Sequence, residues 1–310
     1  ALVDPIRGKD TTPLAAFLNT GSRIKVLHAA RQDLEVMDLI GVNLGNSFVD
    51  TQLAAALVGE DEQIGYGELV KKLAKIELDK KQQRANWKRR PLPEKQLDYA
   101  VSDVLYLLPV FHKLKEELNR LDRLCWLEEE CTSLGAIITK INTFEGWERL
   151  KNVSNLKEES KRRAFAMANW RESEARRVNL PRNWILQDSE IRRVAIASPQ
   201  DIAGFADLLK EKTKNWERLA KQLLSVLKES EQLVLPIPEL RAKLTEPEKH
   251  KAKLLTDSSA KVAQKLGIKP AVLMTVNDSK RIVLGERMKK YYTGWRGAHL
   301  LEIFQAIGLT

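Results

Sequence analysis

Cysteine is scarce in this chain. Cys125 and Cys131 are the only two in 310 residues and make no CxxC pair, which argues against a disulfide framework and against a zinc site. Two lone thiols suit a reducing compartment. Histidine is nearly as rare, with four scattered residues, so a His-rich metal centre is not expected. Nowhere do about 18 apolar residues run together, so no membrane-spanning helix is predicted. No signal peptide is read, and a cytoplasmic location is expected. Ala1 stands first, and Ala1-Leu2-Val3-Asp4-Pro5 reads as the end of a strand, so the chain is expected to start inside a domain.

What is present is globular. Hydrophobic residues make up 43% and mean hydropathy is −0.36, enough for a sizeable core over two or three domains. The net charge of +10 is unevenly placed. Residues 1–122 hold 18 Lys/Arg and 18 Asp/Glu, while 123–310 hold 34 and 24. A basic C-terminal part on a neutral N-terminal part suggests a polyanion-binding appendage, although a merely soluble basic surface has the same composition.

The N-terminal part alternates short apolar runs with helical patterns. Ile24–His28 reads as a buried strand, followed by a helix from about Ala30 to Ile40. Phe48-Val49 ends a second strand, and Asp50 has the chemistry of an N-cap for a helix over Thr51–Leu57. Gly65 and Gly67 break the chain before a helix from about Glu68 to Lys75. Strands alternating with helices indicate an α/β domain. After residue 123 strand signals vanish. Residues 123–152 read as a helical connector, and two helical blocks follow, 153–231 and 232–310, with Ser154 and the extended Gln232–Pro238 stretch as boundaries.

The blocks look weakly repeated. Leu180-Pro181-Arg182-Asn183-Trp184 in one answers Ile268-Lys269-Pro270-Ala271-Val272 in the other, each after a helix and before a closing helix led by Trp216 or Trp295. Each block is basic: 17 against 11 charges for 151–230, and 14 against 8 for 231–310. Two small basic helical modules in tandem are predicted.

The most informative stretch is Asp98–Leu108. Pro91 and Pro93 precede it, as suits a helix start. Leu97, Ala100, Val101, Val104, Leu105 and Leu108 recur at helical spacing and are expected to pack inward. Tyr99, Asp103 and Tyr106 form a stripe on roughly the opposite side, and Tyr99 and Asp103, four apart, can reach one point. That stripe reads either as a solvated face or as a metal-holding carboxylate with a hydroxyl beside it to position water.

Asp33 in the first turn of a helix, Asp50-Thr51-Gln52, Leu78-Asp79-Lys80, Arg84, Trp87, Arg90-Pro91-Leu92 and Tyr99-Ala100-x-x-Asp103 occur together in this order across residues 24–109. The pattern resembles the ribonuclease D family, DEDD-superfamily exonucleases with the tyrosine form of the last motif. Trp170-Arg171, Leu180-Pro181 and Ile185-Leu186-x-Asp188 resemble the HRDC domain, a small helical nucleic-acid-binding module. Gly294-Trp295-Arg296-Gly297 looks like the close of a bacterial member, and the second block is a more divergent copy.

The resemblance implies an α/β fold: a truncated ribonuclease H-like exonuclease domain over 1–122, then two all-α HRDC-like bundles. It also implies 3′→5′ hydrolysis of RNA 3′ ends, such as those of tRNA precursors, by two divalent ions, Mg²⁺ or Mn²⁺. Asp33 and Asp103 would be metal ligands and Tyr99 would orient the attacking water. Lys80, Arg84 and Arg90 would grip the RNA backbone. His28 and Asp50 also match but read as structural. A cytoplasmic monomer is expected.

One element of the pattern is not found. Nothing before Asp33 supplies the family's Asp-x-Glu: Asp4 and Asp10 lack the Glu, and Asp188-Ser189-Glu190 reads as a helix cap in the wrong domain. The opening hairpin therefore reads as missing, and the chain as given is expected to be a fragment with weak or absent activity in isolation. The alternatives are a non-catalytic nucleic-acid-binding protein built on the helical modules, or a relative that degrades DNA.

Overall fold

The computed structural model describes residues 2–4, 10–141, 150, 153, 156–211, 215–231 and 244–309. The Gln232–Pro238 boundary and Ser154 lie outside the described residues. By internal contacts the chain forms two units, one of residues 1–141 with 244–310 and one of 142–243.

The first unit opens with α1 (Thr12–Leu18), β1 (Lys25–Leu27), α2 (Arg31–Leu39), β2 (Phe48–Asp50) and α3 (Thr51–Leu57). The two strands pair in parallel with Val26 opposite Val49. The first strand is shorter than its apolar run suggests and only half-buried, with Ile24 left exposed. β2 is more deeply set, with Phe48 in the core. Asp50 is the N-cap of α3 as expected, accepting from the Gln52 N–H at 2.8 Å. Then come α4 (Tyr66–Ala74), α5 (Glu94–Leu105), α6 (Leu107–Arg120) and α7 (Leu124–Ile141). Gly65 is the N-cap of α4, and Gly67 sits inside its first turn rather than breaking it. The stretch read as a connector is α7, whose Leu127 and Cys131 belong to the same core as Leu57 and Leu69.

Among the described residues the second unit contains helices alone: α8 (Glu158–Val178), α9 (Arg182–Ile185), α10 (Asp188–Ala197), α11 (Ala206–Leu209) and α12 (Trp216–Ser230). Its core gathers Phe165, Met167, Leu186, Ile191, Phe205 and Leu223. Asp188 and Glu190 do cap a helix. Glu190 closes a capping box with Gln187 at the start of α10, and Asp188 pairs with the fully buried Arg171 at 2.7 Å.

The remaining helices return to the first unit: α13 (Glu246–Leu266), α14 (Pro270–Leu273), α15 (Val276–Val283), α16 (Lys289–Tyr292) and α17 (Gly294–Ile307). α13, α14 and α15 begin 88 residues after α8, α9 and α10, from 158 to 246, 182 to 270 and 188 to 276. Both long helices end on a left-handed residue, Asn179 (φ 53°) and Gly267 (φ 65°). Both four-residue helices end in an extended residue, Leu186 (φ −158°, ψ 129°) and Met274 (φ −154°, ψ 129°). Pro181 precedes its helix whereas Pro270 begins its own, so the prolines stand 89 apart while the backbones repeat at 88.

This second copy is built into the core of the first unit. Leu255, Leu273, Trp295 and Phe304 share a cluster with Leu57, Leu114 and Leu127. Trp126 and Trp295 stack with centroids 4.4 Å apart. Arg123 donates to the carbonyls of Leu57, at 2.7 Å, and Leu266, and Arg296 pairs with Glu130. At Gly59 (φ 101°) an added Cβ would lie 2.6 Å from the Gly267 carbonyl oxygen, so that position requires glycine for both conformation and space.

Candidate active site

The site is built where the parallel pair ends, the usual location for function in a sheet of this kind. Past β1 the chain turns sharply at Ala29 (φ 52°) into α2. Asp50, at the end of β2, holds that turn. Its carboxylate accepts from the N–H groups of Ala29 (3.0 Å), Ala30 (2.8 Å) and Gln52 (2.8 Å) while buried. Three backbone donors occupy it, and its part is to fix the entry of α2 and α3.

Asp33 rides on α2 one turn further on, exposed at the surface. Partial desolvation, then the nearby Asp50 carboxylate, hold its carboxyl above the ordinary aspartate value. A second negative charge close by favours the protonated form.

His28 lies between the two strand ends and α4. Its Nε2 sits 3.0 Å from the Ile64 carbonyl and its Nδ1 2.9 Å from the Thr51 hydroxyl. Since a carbonyl only accepts, Nε2 carries the proton. Burial pushes the ring below the ordinary histidine value, against the pull of Asp50. A neutral, doubly hydrogen-bonded His28 is a structural member of the site, matching the sequence reading.

From His28 the site continues to Tyr66, whose ring lies 5.7 Å away. The Tyr66 hydroxyl donates to the Ser102 carbonyl (3.2 Å) and accepts from the Tyr106 N–H (3.1 Å), pinning α4 to the last turn of α5. The Asp103 charge adds to burial in raising the Tyr66 phenol. Asp33, Asp50, His28, Tyr66 and Asp103 thus form one run of electrostatic or ring neighbours.

On α5 the expected orientation is reversed. Leu97, Val101, Val104 and Leu105, with Leu108 just beyond in α6, are exposed, between 37% and 60%. The helix's one buried side chain is Gln96, and Tyr106 packs against the core. Periodicity located both stripes but not which meets the protein. The tyrosines of the polar stripe carry large apolar bodies with polar tips, and Tyr66 fastens that side.

The Tyr99 phenol and the Asp103 carboxylate are electrostatic neighbours. Partial burial, then the Asp103 charge, raise the phenol. Partial desolvation also holds the Asp103 carboxyl above the usual range, with Tyr99 offsetting only part of it. The Trp87 ring lies 5.8 Å from Tyr99. Beside them a cleft of about 480 Å³ runs between the 76–82 segment and α5, lined by Leu78, Lys81, Lys95, Tyr99, Ser102 and Tyr106.

The basic candidates divide. Lys80 and Arg84 are exposed and have no ion pair among the described residues. Arg90 is committed elsewhere. It grips Asp4 with two bonds of 2.6 and 2.8 Å and donates to the carbonyls of Trp87 and Arg89. It acts as a strut between chain segments 86 residues apart, and phosphate contact by this side chain is not what its geometry provides. Tyr66 and Trp87 have roles the site-residue reading did not assign. Tyr66 acts on residues 36 and 40 positions away, beyond any local pattern, whereas Trp87 lay within the matched motif series.

Oxygen donors of this kind suit hard divalent cations. Among the described residues no group of three or more His, Cys, Asp or Glu is placed to hold a metal ion. Asp33 and Asp103 are not part of any such group.

Comparison with known proteins accords with this geometry. Residues 1–119 match the 3′–5′ exonuclease family and residues 160–227 the HRDC domain. The class is therefore an exonuclease domain joined to a helical HRDC module. Ribonuclease D of Bartonella henselae is 32% identical over 312 residues, covering 95% of this chain and 74% of that protein. Ribonuclease D of Desulfotalea psychrophila is 31% identical, covering 98% and 83%. The crystal structure of Escherichia coli RNase D, an exoribonuclease involved in structured RNA processing, superposes with a TM-score of 0.82 at 26% identity, covering 99% of this chain and 84% of that one. The chain belongs to the ribonuclease D family of 3′–5′ exoribonucleases.

Proposed function

We propose that this chain trims the 3′ ends of structured RNA, tRNA precursors among them, with Asp33 and Asp103 as cation-binding carboxylates and Tyr99 as the residue that orients the attacking water. The observation that carries this reading is the Tyr99–Asp103 neighbourhood on α5, with Tyr99 lining an open cleft and Asp103 linked electrostatically to Tyr66 and so toward the end of β1. Divalent ions, Mg²⁺ or Mn²⁺, would supply a polarised water and neutralise the leaving 3′ oxygen. The chain's own part is defined by its protons. Tyr99, its phenol raised by burial and by the Asp103 charge, stays protonated beside that carboxylate and can hydrogen-bond a water. Lys80 and Arg84 are free to meet phosphates. Trp87 offers an aromatic wall next to the tyrosine. An exonuclease domain over 1–122, one HRDC domain over 153–231 and a second HRDC-like module over 232–310 are the division we adopt. The 88-residue backbone repeat supports the two helical modules, whereas the 123–152 stretch contributes a core helix of the first unit rather than a bare connector. A monomer in the cytoplasm fits the reading, and among the described residues no helix is long and apolar enough to cross a membrane.

The test is a trimming assay on 5′-labelled RNA and DNA oligomers with Mg²⁺ or Mn²⁺, comparing the unmodified chain with Asp103→Asn and Tyr99→Phe. Stepwise shortening of RNA that Asp103→Asn abolishes supports the reading. Shortening that Asp103→Asn leaves intact sinks it. A chain that binds RNA without cutting favours the second reading, a non-catalytic nucleic-acid-binding protein, for which the incomplete carboxylate cluster speaks.

A further inference from the structure

The second unit holds an open cleft of about 460 Å³, within the size range of small-ligand sites. Its walls come from the end of α8, from α9 and from the first turns of α12, and include Trp170, Arg177, Leu180, Trp184, Arg218 and Leu219. The Trp184 side chain is 71% exposed, and Leu180 beside it is also open. Few residues lose more by standing in water than tryptophan. Glu174 holds Arg177 through bonds of 2.6 and 2.7 Å, and that bond foremost keeps the Glu174 carboxyl ionised, with Gln222 and Arg218 adding to it. One carboxylate against two guanidiniums leaves the cleft net positive.

The second helical repeat shows what this face does when it is covered. Counted 88 residues on, Leu180, Trp184 and Ile185 correspond to Ile268, Val272 and Leu273, all buried in the core of the first unit. There the face is a docking surface: Arg123 donates to the Leu266 carbonyl and Lys269 pairs with Asp61 at 3.4 Å. In the first repeat the same backbone face is open, and an indole stands where valine packs.

We propose that this cleft binds an unstacked base of single-stranded RNA on the face of Trp184, with the adjoining phosphate at Arg218. The inference rests on the ribonuclease reading for its substrate. An indole stacks on any base, and arginine beside it supplies both charge and a planar surface. A protein partner would suit the apolar wall, but the two arginines and the surplus of 17 basic over 11 acidic residues in 151–230 favour a polyanion. In this arrangement the helical module holds a nucleotide within the single-stranded tail.

The experiment measures binding of the full chain to a fluorescent unstructured RNA 12-mer by anisotropy, in EDTA so that nothing is cut. Trp184→Ala is expected to weaken binding about tenfold, and Trp184→Phe to restore most of the loss. Arg218→Ala is expected to lower the slope of log affinity against log salt by about one. An oligomer of abasic ribose-phosphate should bind the native chain and Trp184→Ala alike. Equal affinity of native and Trp184→Ala for the normal RNA, with unchanged melting curves, overturns the inference. If that equality accompanies active 3′ trimming, the cleft is wrong and the ribonuclease reading stands. A native chain that neither binds nor trims RNA overturns both.

Discussion

Asp103 and Asp278 are both aspartates on helices of the first unit with a tyrosine nearby, and they differ in burial and in how their charge is met. Asp103 is exposed, has one phenol as neighbour and is held above the usual carboxylate range. Asp278 is buried on α15, taking the Tyr291 hydroxyl and the Lys290 ammonium at 3.1 Å while its own N–H bonds the Thr275 hydroxyl at 3.0 Å. Burial alone would raise its carboxyl, but the Tyr291 and Lys290 bonds outweigh that and hold it below the usual range. Asp278 is compensated from within, whereas Asp103 and Asp33 carry charge the fold leaves under-compensated. Such a deficit is what a bound cation relieves, and perturbed groups of this kind gather at functional sites.

The largest effect that would sharpen this contrast is on catalysis. Asp103→Asn is expected to slow RNA trimming by about a hundredfold or more, with the melting temperature unchanged or slightly raised, because the lost charge was a cost in the folded state. A loss of stability in Asp103→Asn would break the comparison. Next comes Tyr291→Phe, which leaves Asp278 short of its phenol. It is expected to cost about 1.5–3 kcal/mol, seen as a lower urea midpoint, while single-turnover trimming well below the transition holds steady.

The two kinds of carboxylate also predict opposite pH behaviour. Asp278, with its depressed folded value, adds stability above the unfolded aspartate value and loses it as pH falls through the lower folded one. Asp33 and Asp103, with raised values, cost stability while charged, and that cost is relieved as pH falls through them. Urea titrations from neutral to acid should therefore lose their acid-side decline in Asp278→Asn and their mild-acid relief in Asp103→Asn. The acid limb of trimming should lie above the ordinary aspartate value. The smallest expected effect is on RNA affinity. Lys80→Ala and Arg84→Ala should each reduce the salt slope by about one, whereas Arg90→Ala should leave it unchanged and loosen the Asp4 segment instead.

Local chemistry made much of this fold legible. Asp50 announced α3 because an N-cap acts within a few residues, and the helix runs over Thr51–Leu57 as read. The Tyr99–Asp103 pairing followed from helical spacing. The direction of α5 did not, because it depends on Tyr66, fixed to residues 36 and 40 positions on. Arg90 looked like one more phosphate-binding cation until Asp4 was seen to hold it. The repeat was visible in sequence through its proline and tryptophan landmarks, but the prolines stand one residue off the 88-residue spacing, since proline is tolerated either before or at the first helical position. The tryptophans, 79 apart, stand nine short of it.

The first unit is discontinuous: α7 and α17 meet through Trp126 and Trp295, with the whole HRDC module of residues 160–227 encoded between them. During synthesis the chain emerges in order, and domains fold as their last contributing segment becomes available. The HRDC module can therefore close on the ribosome while the exonuclease core still waits for Leu255, Leu273, Trp295 and Phe304. A nascent chain stalled before residue 244 would display the HRDC module without a finished nuclease beside it.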